Sequence, residues 1–89
     1  MSRLPIISSF FGIVVRMYYE DHSPAHFHAE FRGERASFDL DGEPLSGEIR
    51  SRVARRLIRE WAQAHRGELE NNWVNSREGR PMLTIEPLE

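Results

Sequence analysis

Apolar and polar positions change period halfway along this chain, and the change separates a β half from an α half. Residues 10–20, Phe-Phe-Gly-Ile-Val-Val-Arg-Met-Tyr-Tyr-Glu, are dense in β-branched and aromatic types and run into a loop containing Pro24, which predicts a strand. Residues 26–32 and 35–40 alternate at period two: Phe27, Ala29 and Phe31 are apolar, then Ala36, Phe38 and Leu40. Gly33-Glu34 between them puts glycine first, as a two-residue type II′ hairpin requires. Asp41-Gly42 signals a second tight turn, leading to a short edge at Pro44-Leu45, where proline excludes a central strand.

The second half is helical. From Ser51, an expected N-cap, Val53, Leu57, Trp61 and Ala64 recur at helical spacing, with arginines on the other faces. Gly67 is expected to interrupt this helix. Leu69 and Trp73 predict a second, shorter one reaching about Arg77, before a Gly79-Arg80-Pro81 turn. Met82 to Glu86 reads as a final strand with Leu83 and Ile85 on one side. The predicted fold is α+β over a single domain, residues 1–89. It is an antiparallel three- to four-stranded sheet in the order β-β-β-α-α-β, with two helices packed on one face, because neither layer buries its apolar side alone. Trp61 and Trp73 are expected to pack helix against sheet.

Composition narrows the classes. A chain of 89 residues buries only about 60–65% of its unfolded surface, so its core is modest. Cysteine is absent, which excludes disulfides, iron–sulfur clusters and thiolate zinc sites. The apolar runs are far too short to span a bilayer and the N-terminus lacks a signal-peptide profile, so the expected location is cytoplasmic. The net charge of −2 argues against electrostatic coating of nucleic acid. All twelve basic residues are arginine, a type suited to bidentate contacts with carboxylate and phosphate.

Strand faces can be assigned from the alternation. Pairing Val15 with Phe31, Met17 with Ala29 and Tyr19 with Phe27 gathers the apolar residues of the first hairpin on one side; a slip of one residue would set histidines among them. The opposite face then pairs Arg16 with Glu30, Tyr18 with His28 and Glu20 with His26. A Gly33-Glu34 turn places His28 opposite Asp39 and His26 near Asp41. His26 and His28 therefore share a polar face with Glu20, Tyr18 and Asp39, while Asp21 and His22 overhang it from the loop. Residues two apart on a strand stand roughly 6.5–7 Å apart at the backbone, within reach of one ion. Candidate metal ligands are His22, His26, His28, Glu20 and Asp39, a donor set suited to zinc, nickel, copper(II) or iron(II). The same groups could move protons, since histidine beside a carboxylate titrates near neutral pH. The plainer reading is a solvated strand face with cross-strand pairs of roughly 0.2–1 kcal/mol each. Metal binding ranks above catalysis.

The run Phe-Phe-Gly-Ile-Val-Val-Arg-Met-Tyr-Tyr, then Asp-His-Ser-Pro-Ala-His-Phe-His-Ala-Glu-Phe and Ala-Ser-Phe-Asp, resembles the bacterial family known as domain of unknown function 4160. The likeness continues through Leu-Ile-Arg-Glu-Trp to the terminal Ile-Glu-Pro-Leu and covers nearly the whole chain. The resemblance implies a small stand-alone bacterial protein, with no assigned activity. Members accompany another small uncharacterised domain, which suggests a protein partner encoded nearby, as in a toxin–antitoxin-like pair. A further expectation concerns Arg52, Arg56 and Arg59, which fall on one helix stripe and with Arg66 could bind the phosphates of RNA or DNA, or a protein partner. The alternative, a solvated helix face near Glu60 and Glu68, is favoured.

Overall fold

The computed structural model describes residues 5–89. Five strands precede two helices: β1 (Ile6–Phe10), β2 (Ile13–Arg16), β3 (His26–Phe31), β4 (Glu34–Asp39), β5 (Pro44–Gly47), α1 (Arg52–Ala64) and α2 (Arg66–Arg77). The strands form one sheet in chain order, each antiparallel to its neighbours. The class is α+β as expected, with five strands in place of three or four.

The extra strand arises at a turn that the residue types conceal. Phe11 and Gly12 both have positive φ, 50° and 81°, and so do Arg32 and Gly33, at 51° and 81°. Positive φ at both central residues is the type I′ hairpin, whose twist matches that of the strands. Residues 10–20 are therefore two pieces: β1 ends at Phe10 and β2 begins at Ile13. Phenylalanine rarely opens such a turn, so only Gly12 marked it.

The second hairpin turns on Arg32-Gly33, one residue earlier than the expected Gly33-Glu34. It pairs Phe27 with Phe38, Ala29 with Ala36 and His26 with Asp39. Between β2 and β3, Val15 lies opposite Ala29 and Arg16 opposite His28. Both registers differ from the expected ones by two residues. Because side chains alternate with period two, a shift of two changes every partner and no face. His28 consequently faces Ser37 instead of Asp39, and His26 faces Asp39 instead of Asp41.

The core lies between one sheet face and α1. Ile13, Val15, Met17, Phe27, Ala29 and Phe38 are buried, and α1 sets Ala54, Ile58, Trp61 and Ala62 against them. Fully burying each large apolar side chain contributes roughly 1.5–3 kcal/mol. The Trp61 ring stands 5.5 Å from that of Phe10 and 5.6 Å from that of Phe27, and its Nε1 donates to the Glu86 carbonyl. Ser51 caps α1 as expected, its hydroxyl accepting from the Ala54 N–H. The buried stripe is rotated one position from the expected one, leaving Val53 55% exposed. Small residues at 54 and 62 let the helix approach closely. Gly42, at φ 86°, comes so near that an added Cβ would lie 2.7 Å from the Arg59 Cα.

Two further expectations are corrected. The helices break at His65, at φ −122° and ψ 28°, and Gly67 lies inside α2. Met82–Glu86 lies in the C-terminal tail and forms no strand. The Asn72 side chain bonds both the N–H and the C=O of Leu83, the groups a ladder would use. A single backbone bond, Ile85 N–H to the Ile7 carbonyl, ties the tail to β1. Ile85 is buried while Leu83 is 62% exposed, so the two do not share a buried side. No helix among the described residues is long and apolar enough to cross a membrane.

Replacing Gly42 by alanine adds backbone strain and a clash with α1, and should lower the unfolding free energy by about 2–4 kcal/mol. Urea denaturation measures this; a loss below about 0.5 kcal/mol would show that the loop yields freely. Asn72→Ala strips the tail of both bonds and should cost about 2–3 kcal/mol. Hydrogen exchange at Leu83 and Ile85 should then accelerate far more than at Phe27.

Candidate metal centre

The alternation of β3 is the starting point of the site. Phe27 points into the core, so His26 and His28 emerge on the opposite face. Their surroundings differ. His26 is buried, with its ring 5.4 Å from that of Trp73 on α2, whereas His28 is half-buried and stacked on Tyr18 at 4.3 Å. The loop between β2 and β3 folds back over them. Its Glu20 takes a left-handed backbone, φ 55°, and its N–H reaches the Ser76 carbonyl of α2. That anchor brings the next residue, Asp21, above the two histidines.

Asp21 is the centre of the arrangement. Its Oδ2 lies 2.9 Å from His26 Nε2 and 3.1 Å from His28 Nε2, and its Oδ1 accepts from the His22 backbone N–H. One ligand atom each from Asp21, His26 and His28 falls within 4.8 Å of the others. His26 Nδ1 stands 2.7 Å from the Pro24 carbonyl. A carbonyl only accepts, so Nδ1 carries the proton and Nε2 is the atom that meets Asp21. A lone pair on that Nε2 would repel the carboxylate at this distance. The contact is attractive when a proton makes His26 an imidazolium, or when a cation takes electrons from both atoms. A histidine whose second nitrogen donates to a carbonyl has the usual arrangement of a metal-bound imidazole.

Burial of Asp21 pushes its carboxyl upward, but the His28 hydrogen bond, the His22 N–H and the charges of His26 and His28 outweigh it. The group is held below the ordinary carboxylate range. The site therefore favours the anion, the form in which a carboxylate ligates metal.

The other expected residues lie apart from this convergence. His22 is nearest, its ring 5.3 Å from that of His26 and its Nε2 3.7 Å from Asp21 Oδ1, yet its side chain is 84% exposed. Glu20 is exposed, has a left-handed backbone and is not part of the group. Asp39 faces His26 across the strands, but its Oδ1 accepts from the N–H groups of Asp41 and Glu43 and shapes the β4–β5 turn. Asp21, which the strand register leaves in the loop, is the carboxylate that meets both imidazoles. Its signal was being the first acidic residue of the histidine run; a strand-register argument cannot follow a loop that folds back.

The arginine stripe is largely occupied by internal carboxylates. Arg56 meets Glu60 at 3.9 Å and Arg59 meets Glu43 at 3.4 Å. Arg66 contacts Asp41 at 2.8 Å and Glu70 at 2.7 Å, and Arg52 is exposed. Exposed pairs of this kind contribute about 0–1 kcal/mol each.

Neither the curated proteins nor the solved structures contain a match to this chain. A family model does match, over residues 12–74, a span holding β2 to β5, the loop with Asp21, all of α1 and most of α2. Covering most of the 89 residues, that match shows that the chain belongs to the family described as Domain of unknown function (DUF4160).

Proposed function

We propose that the chain binds one divalent transition-metal ion through Asp21, His26 and His28. The observation that carries this reading is the convergence of two imidazole Nε2 atoms on a single carboxylate oxygen, at 2.9 and 3.1 Å. Two imidazoles and a carboxylate suit zinc, nickel, copper(II) or iron(II), and leave coordination positions for water or a ligand. The Pro24 carbonyl orients His26, Tyr18 stacks on His28, and Trp73 shields the buried side. His22, one residue along the loop from Asp21, is the reserve donor. The role is binding ahead of catalysis, because the depressed Asp21 carboxyl is poorly suited to act as a general acid near neutral pH.

The Arg56, Arg59 and Arg66 ion pairs favour a solvated helix face over a phosphate-reading one. A small protein partner, as in a toxin–antitoxin-like pair in a bacterial cytoplasm, rests on the family resemblance and adds no residue to the site.

Untagged protein dialysed against zinc or nickel should retain about one equivalent, read by plasma emission spectroscopy. Retention should fall by at least about 100-fold in affinity for His26→Ala/His28→Ala and strongly for Asp21→Asn. Proton and metal compete for the same nitrogens, so acidification should release the ion. At a free-metal concentration 100 times Kd, thermal unfolding of the parent should be opposed by about 2.7 kcal/mol. Equal, substoichiometric metal in the parent and the double variant would sink the proposal.

A further inference from the structure

His28 belongs to two places at once. Its Nε2 faces Asp21, and its ring also lines a groove of about 290 Å³ on the outer face of β2, β3 and β4, beside Val14, Arg16, Tyr18, Glu30 and Arg35. That volume is at the small end of ligand pockets, so an occupant is no larger than a compact metabolite. The charge balance restricts it further. Arg16 and Arg35 share one carboxylate, with Arg16 Nη1 at 3.0 Å and Arg35 Nε at 3.9 Å from Glu30 Oε1. Two guanidiniums against one carboxylate leave the groove with a net charge of +1. Arg16 Nε, moreover, is buried and has no hydrogen-bond partner. The Arg16 side chain as a whole is 29% exposed and only its Nη1 donates to Glu30, so the guanidinium keeps further donors for a ligand acceptor in the groove.

The remaining walls describe the body of the ligand. The Tyr18 ring, stacked on His28, gives a flat side, and Val14 gives an apolar one. We propose that this groove binds a small monocarboxylate with a flat or apolar body, its carboxylate paired with Arg16. The single excess positive charge matches a monoanion better than a phosphate dianion. His28 joins the groove to the metal donors, so the ligand sits within the reach of an ion held by Asp21, His26 and His28. That adjacency rests on the metal reading; the Arg16 anchor does not.

Benzoate, its neutral isostere benzamide and inorganic phosphate are suitable probes, titrated into the metal-free chain and into the chain with added zinc. Backbone amide NMR shifts at residues 14–18 and 28–35 report occupancy. Benzoate should give saturable shifts in both samples and benzamide none, with phosphate weaker than benzoate. Arg16→Gln should weaken benzoate by at least about tenfold. Glu30→Gln, an alternative should the Arg16 variant unfold, removes the competing internal carboxylate and should tighten benzoate several-fold. Absent benzoate shifts, equal shifts with benzamide, or affinity unmoved in both variants would overturn the proposal, and phosphate stronger than benzoate would overturn its monocarboxylate assignment. Zinc that fails to bind while benzoate still depends on Arg16 would count against the metal reading alone. Zinc bound at one equivalent with no benzoate binding would count against the groove alone.

Discussion

Phe27 lies between two histidines on the central strand, and the molecule depends on those three side chains taking opposite sides. β3 is flanked by two strands on each side, so its backbone is fully committed to ladder bonds and it cannot twist independently. Phe27 meets Trp61 and Phe38 in the core. Any slip by one residue would expose that ring and bury two imidazoles beneath α1, at a cost in desolvated polar groups that the sheet has no means to offset. The core and the site are thus two consequences of one alternation.

The site adds a second constraint that the sheet does not supply. Strand geometry sets two imidazoles side by side, but a carboxylate has to arrive from elsewhere to hold their Nε2 atoms together. It arrives on the loop that α2 anchors through Ser76 and Glu20. Helix α2 therefore serves both layers: Leu69 is buried in the core, while Trp73 packs on His26. Asn72, between them, binds the tail. The second helix, with a weaker apolar pattern than the first, connects core, site and C-terminal segment.

Much of the β half was legible because alternation is a local property. Phe27, Ala29, Ala36 and Phe38 were assigned to the core side and are buried there. The registers were off by two residues at both hairpins, since facing apolar pairs of similar type do not distinguish Val15–Phe31 from Val15–Ala29; that choice belongs to the turn. The β3–β4 turn uses Arg32 at positive φ, a residue type that carries no such signal, and β2 and β3 are joined by the loop of residues 17–25, whose path the strand pattern does not describe. The tail was misread for a related reason. Leu83 and Ile85 alternate like a strand, but a side chain from α2 claims the backbone groups a strand would have paired.

The histidine face returns the same lesson at the scale of the site. The chain alone determined that His26 and His28 stand together on a polar face, because two residues apart on a strand with phenylalanine between them permits nothing else. It also determined that Asp21 and His22 lie in the adjoining loop. Only the tertiary structure decided that Asp21 is the carboxylate within 3.1 Å of both imidazoles. A period of two ends where the strand ends, and beyond it the path of a loop depends on distant partners: here Ser76, Trp73 and the Pro24 carbonyl.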